Sequence, residues 1–121
     1  MVQSMNSSPI VFALSNPDPE ILPSDALEAG ASIVATGRSD FANQVNNAVV
    51  FPALCSLLDP RVKTLSEEML VSDGTAIAEI VDANHLKYDY IIPKVDDPRI
   101  IHIVTNTLKN AIQIHLDKKM L

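Results

Sequence analysis

Two short apolar runs, each cut off abruptly, constrain this chain more than any other feature. Ile10-Val11-Phe12-Ala13-Leu14 is continuous and partly β-branched, and it ends at Ser15-Asn16-Pro17-Asp18-Pro19, where two prolines forbid continuation of a strand. Ser32-Ile33-Val34-Ala35-Thr36 is its counterpart. Between them lies a short helical stretch with Ser24 as its expected N-cap and Gly30 as its stop. The interval of about sixteen residues suits a right-handed crossover between parallel strands. Runs without alternation predict that both strands are buried on both faces.

The rest of the chain reads as helices. Beyond the polar loop Arg38 to Gln44, Val45, Ala48, Val49, Ala53, Leu54, Leu57 and Leu58 recur at helical spacing up to Asp59-Pro60, which predicts a buried helix bent or begun near Pro52. Thr64-Leu65-Ser66-Glu67 has the form of a capping box. The helix after it carries a stripe of Leu65, Met69, Ala76, Ile77, Ile80 and Val81, with a weak middle at Ser72-Asp73-Gly74. Tyr90-Ile91-Ile92-Pro93 reads as a short extended piece. Asp97-Pro98 then supplies an N-cap and first-turn proline for a helix with Ile101, Val104, Leu108, Ala111, Ile112 and His115 on one face, and Lys118 and Lys119 near its end. The pattern is α/β with too little sheet to stand alone, so it reads as a piece of a larger domain.

Composition narrows the function. A chain of 121 residues, 47% of them apolar, predicts one globular unit. Nine basic against fifteen acidic residues give a net charge of −6, the wrong sign for binding nucleic acid or an anionic membrane. No apolar run approaches the roughly 20 residues that span a bilayer. The opening Met1-Val2-Gln3-Ser4-Met5 lacks the basic flank of a signal peptide, so neither anchoring nor export is expected. The single Cys55 excludes an internal disulfide and fits a reducing, cytoplasmic setting; it reads as a packed small hydrophobe. Gly30, Gly37 and Gly74 stand too far apart for a G-x-G-x-x-G turn or a P-loop. His85, His102 and His115 are likewise scattered, without metal-ligand spacing. Glu67-Glu68 and Asp96-Asp97 read as helix starts.

In open α/β sheets the loops leaving the carboxyl ends of strands line the ligand crevice, which directs attention to Ser15–Glu20 and Thr36–Asn47. Asn16 stands in a proline-stiffened loop, either as an Asx-turn residue or as an amide offered to a carboxylate or carboxamide. Asn46 and Asn47 open the expected helix, as ordinary N-caps or as amides for an anionic group. Arg38 is either an anion contact or half of a structural ion pair.

The order Pro-Ile-Val-Phe-Ala-Leu-Ser-Asn-Pro-Asp-Pro-Glu-Ile from Pro9, Gly30-Ala31, Ile-Val-Ala-Thr-Gly-Arg-Ser-Asp-Phe-Ala-Asn-Gln-Val-Asn-Asn from Ile33, and Phe51-Pro52 closely resembles the malic enzymes of prokaryotic type. Further echoes are Glu67-Glu68-Met69, Tyr90-Ile91-Ile92-Pro93 and Asp97-Pro98-Arg99-Ile100. The resemblance spans nearly the whole chain. It implies that residues 1–121 are the C-terminal portion of an NAD(P)-binding domain: part of a Rossmann-like, doubly wound parallel sheet followed by helices.

The implied activity is oxidative decarboxylation of L-malate to pyruvate and CO₂, with NAD or NADP as hydride acceptor and Mg²⁺ or Mn²⁺ polarising the C2 oxygen. By the same resemblance Asn16 lies by substrate and nicotinamide, and Asn46 and Asn47 supply an amide to a malate carboxylate. The family's general base and acid, metal carboxylates and Gly-rich turn have no counterpart here. Lys63, Lys87, Tyr88 and Tyr90 match none of those motifs. The isolated chain is therefore expected to be inactive, its partners being the remainder of a malic enzyme or a homo-oligomer partner.

There are departures: Ala42 stands where the family commonly has proline, and Ala53-Leu54-Cys55-Ser56-Leu57-Leu58 replaces a Gly- and Arg-bearing stretch. One rival reading is a stand-alone, self-associating module that has lost the chemistry. A weaker one is a related acyl or phosphoryl transfer domain.

Overall fold

The computed structural model describes residues 1–51 and 64–119. The chain divides into two compact units, Met1–Asn47 with Val81–Lys94 and Ala48–Ile80 with Val95–Leu121. Length suggested a single unit; the apolar residues instead gather in separate clusters, each built on its own strands or helices.

In the first unit strand β1 (Ile10–Ala13), helix α1 (Pro23–Glu28) and strand β2 (Ile33–Thr36) realise the strand–helix–strand pattern, and the two strands pair in parallel with Ile10 opposite Ile33 and Ala13 opposite Thr36. Helix α1 starts one residue before the expected cap: Pro23 takes the first turn, where its fixed φ and missing N–H cost nothing, and Leu22 is the N-cap. Its end follows the expectation. Gly30 has φ +102°, Gly30 N–H donates to the Leu27 carbonyl at 3.0 Å, and Ala31 N–H donates to Ala26 at 2.9 Å, the two bonds of a Schellman turn. Ala26, Ala31 and Val34 form the core here, packed by Val2, Val11 and Ile21.

One expectation fails at β1. Ala13 is buried and Val11 half-buried, but Ile10 and Phe12 are 55% and 52% exposed. The sheet in the described residues has two strands, so one face and the outer edge of β1 have nothing to pack against. The piece Tyr90–Pro93 makes one isolated bridge, from Tyr90 to Lys87. Lys87 and Tyr90 close a tight turn by reciprocal backbone hydrogen bonds of 3.3 and 3.0 Å. Where the sequence predicts a helix from Val45, the described residues form a 3₁₀ turn at Asn47–Val49 and are α-helical at Phe51; the rest of the expected helix, with Cys55, lies outside them.

The second unit is built on helices α2 (Glu67–Glu79) and α3 (Pro98–Lys119). The cap of α2 is Ser66, whose hydroxyl accepts from Met69 N–H at 3.3 Å, two residues beyond the expected Thr64. Ser66 is followed directly by Glu67 and Glu68, which favour the positive end of the helix dipole. The weak middle does not break the helix. Burial of Met69 and Ile77 on either side offsets the cost of Gly74, about 1 kcal/mol.

Helix α3 begins as expected, with Pro98 first and Asp97 Oδ1 accepting from Arg99 N–H at 2.9 Å. The Arg99 guanidinium also bonds Asp97, and these hydrogen bonds hold the Asp97 carboxyl below the usual carboxylate range. Its buried ridge is Ile100, Val104, Leu108 and Ile112, an i, i+4 row, whereas Ile101, placed on the core face by the sequence pattern, is 52% exposed. Met69, Leu108 and Ile112 pack together with Ala111 and Leu116. No helix among the described residues is long and apolar enough to cross a membrane.

Candidate functional site

The two loops at the carboxyl ends of β1 and β2 belong to one unit and converge on Gly37. The first loop is closed by its own ends: Ser15 Oγ donates to Glu20 Oε1 at 2.6 Å and Ser15 N–H to Oε2 at 3.3 Å. That pairing holds the Glu20 carboxyl below its ordinary value. Within the closed loop the Asn16–Pro17 peptide is cis.

Asn16 lies directly over Gly37. A Cβ at Gly37 would stand 3.0 Å from Asn16 Oδ1 and 3.1 Å from Nδ2, so the glycine supplies the seat on which the amide rests. Asn46 reaches the same residue from the other loop, donating Nδ2–H to the Gly37 carbonyl at 2.8 Å, and Gln44 Nε2–H donates to it at 3.5 Å. Asn47 follows immediately and begins the 3₁₀ turn with its side chain exposed. Asn16 and Asn46 are thus brought together on one residue, and Asn47 follows Asn46 directly in the chain.

The second loop returns to β2 through Asn43. This residue is buried at φ +56°, a conformation asparagine tolerates better than most side chains. Its Nδ2 donates to the Val34 carbonyl at 3.1 Å and the Tyr88 carbonyl at 2.8 Å, while Oδ1 accepts from Ile91 N–H at 2.9 Å. Thr36 N–H donates to the Asn43 carbonyl at 3.3 Å, and Val45 N–H to the Thr36 carbonyl at 2.8 Å. The asparagine therefore satisfies three backbone groups at once and fixes where Asn46 begins. Sequence reading passed over it, and no local signal marked it, because two of its partners are more than forty residues away.

Arg38 completes the arrangement as a structural pair. Nε–H and Nη2–H donate to the two Asp40 oxygens at 2.8 and 2.7 Å, which holds the Asp40 carboxyl below its usual range. Its guanidinium carbon lies 5.3 Å from the centre of the Phe41 ring.

Chemically, the site offers neutral amides at strand ends. Amides orient a carboxylate or carboxamide without changing charge between acid and neutral pH. Among the described residues no group of three or more His, Cys, Asp or Glu side chains could hold a metal ion. Replacing Gly37 by Ala should move Asn16 without unfolding the chain, because the atoms met are the far end of a flexible side chain. The expected result is a displaced pair of Asn16 side-chain amide resonances with a melting temperature within about 2 °C of the wild type.

Residues 1–112 match the family model described as "Malic enzyme, NAD binding domain". The chain is 49% identical to the bifunctional malic/malolactic enzyme of Bacillus subtilis over 92% of its own length and 27% of that protein's. It is 40% identical to the NAD-dependent malic enzyme of Geobacillus stearothermophilus, over 91% of its own length and 23% of that protein's. The malic enzyme crystal structure from Entamoeba histolytica superposes with a TM-score of 0.84 at 41% identity, covering 94% of this chain and 24% of that one. The chain thus spans about a quarter of the length of the relatives it matches.

Proposed function

This chain belongs to the malic enzyme family, within its NAD-binding domain, and we propose that it forms the C-terminal portion of such a domain and contributes substrate and nicotinamide contacts to oxidative decarboxylation of L-malate. In this reading Asn46 and Asn47 supply an amide to a malate carboxylate, and Asn16 lies beside both the substrate and the nicotinamide of NAD or NADP. The bound nicotinamide supplies the hydride acceptor; the chain's own task is orientation. The observation that carries the reading is the meeting of Asn16 and Asn46 on Gly37, at the carboxyl ends of two parallel strands. Neutral amides suit the task because they fix a carboxylate without opposing the charge that develops at the reacting oxygen. The described residues lack the donor set for Mg²⁺ or Mn²⁺, and no step through a metal is assigned to them.

The partner is the remainder of a malic enzyme. Support comes from β1, whose exposed Ile10 and Phe12 border a groove of about 720 Å³ lined also by Met1, Val2, Met5 and Ile21, an apolar surface of the kind that a further layer of the domain covers. The net charge of −6 accords with a protein that binds neither nucleic acid nor membrane, and the single cysteine accords with the cytoplasm.

A chimera tests this: the whole chain replaces the stretch of the B. subtilis enzyme that it matches. The chimera is expected to reduce NAD or NADP on addition of malate and Mn²⁺, while the chain alone is inactive. Asn16→Ala or Asn46→Ala should each lower kcat/KM for malate by roughly ten- to a hundredfold, the worth of one hydrogen bond to a charged group. An inactive chimera, or one indifferent to both substitutions, overturns the reading. A sizing column shows whether the isolated chain instead buries β1 against a second copy.

A further inference from the structure

We propose that Arg38 is the positioning residue of this site: its guanidinium clamps the Ser15–Glu20 loop to the loop after β2 and so holds the Asn16 amide on Gly37 beside Asn46. The inference rests on the functional reading above and extends it to a residue that touches no ligand. Arg38 follows Gly37 and Pro17 follows Asn16, so in both loops the clamp lies one residue beyond the contact it secures. Arg38 Nη1–H donates to the Pro17 carbonyl at 3.5 Å, and the same nitrogen stands 3.8 Å from Asp18 Oδ1.

On its other edge the guanidinium is gripped by Asp40 and lies over Phe41, which leaves it little freedom to swing away. A fork that bonds two oxygens on one edge, reaches a carbonyl on another and stacks on a ring is a task for arginine and not lysine. Direct anion binding is a poor alternative. Asp18 and Asp40 together carry two negative charges against the single positive one, so the cluster offers no net attraction to a dicarboxylic acid.

Partly exposed ion pairs contribute little to stability, whereas a reacting group displaced by about 1 Å can cost as much as a hundredfold in rate. Arg38 should therefore matter far more for turnover than for folding. The test is a double-mutant cycle in the chimera, with Arg38→Met to keep the aliphatic stem and Asn16→Ala to remove the group it positions.

Arg38→Met alone is expected to lower kcat/KM for malate about tenfold, with the melting temperature within about 2 °C. In the Asn16→Ala background the same substitution should change kcat/KM less than about twofold, because nothing remains to be positioned. Arg38→Lys, which keeps the charge without the fork, should recover only part of the loss, and it takes the place of Arg38→Met if the latter does not fold. Equal losses in both backgrounds, full activity of Arg38→Met, or complete rescue by lysine overturns the clamp. If Asn16→Ala itself leaves turnover intact, it is the site reading that fails, and the two failures are told apart by that single variant.

Discussion

Asn43→Ala is expected to be the most damaging substitution away from the helical core, lowering the melting temperature by roughly 10 °C. The side chain serves the Val34 and Tyr88 carbonyls and the Ile91 N–H in a buried position, and alanine leaves all three without that partner. A buried backbone group left unpaired costs about 1–3 kcal/mol, and alanine tolerates φ +56° less well than asparagine does. A total near 3 kcal/mol corresponds to that shift for a chain of this size.

Asn43→Gly, which removes the hydrogen bonds and keeps the backbone at ease, should recover only the smaller, conformational part. Asn43→Asp should be at least as harmful as alanine, because it sets a carboxylate against two carbonyl oxygens. Thermal melts followed by circular dichroism measure all three. A loss below about 2 °C for alanine would show that the loop after β2 does not depend on this residue.

Asp73→Ala should act in the opposite direction and raise stability at neutral pH. Asp73 sits in α2, 2% exposed, and among the described residues neither of its carboxylate oxygens has a hydrogen-bond partner. Burial pushes its pKa above the ordinary aspartate value. A carboxyl whose folded pKa is raised favours the native state below the unfolded pKa of about 3.9 and loses that stability as pH rises through the folded value.

At pH 7 alanine therefore removes a buried polar group that costs about 1–3 kcal/mol and adds a better helix former, for an expected gain of about 5 °C. Near pH 3.5, below the unfolded pKa of about 3.9, the carboxyl is mostly protonated in both states and the gain should shrink. A gain that is the same at both pH values, or a loss at pH 7, would mean that Asp73 has a partner in solution.

Much of the local architecture was legible in the residues. Gly30 ends α1 and Asp97-Pro98 starts α3, because each acts on its own backbone within a turn or so of chain. Where two local signals competed, the reading slipped: Pro23 displaced Ser24 at the start of α1, and Ser66 displaced Thr64 at the start of α2. The α3 stripe was misread by one position, since Ile100 and Ile101 are equally apolar and only the neighbouring helix decides which of them is buried. Asp73 ran against every compositional rule, for an aspartate in a weak helical stretch gives no sign that it will be covered.

The sequence by itself determined the strand–helix–strand order, the helix ends and, through its family motifs, which asparagines to examine. Steric and hydrogen-bonding preferences of Pro, Gly, Asp and Asn act over a few residues and need no partner to be expressed. Tertiary structure alone decided that Asn16 rests on Gly37 while Asn46 bonds the same residue, that Asn43 ties segments more than forty residues apart, and that Ile10 and Phe12 stay uncovered. Those facts depend on which surfaces meet across long stretches of chain, and burial is a property of the meeting, not of the residue.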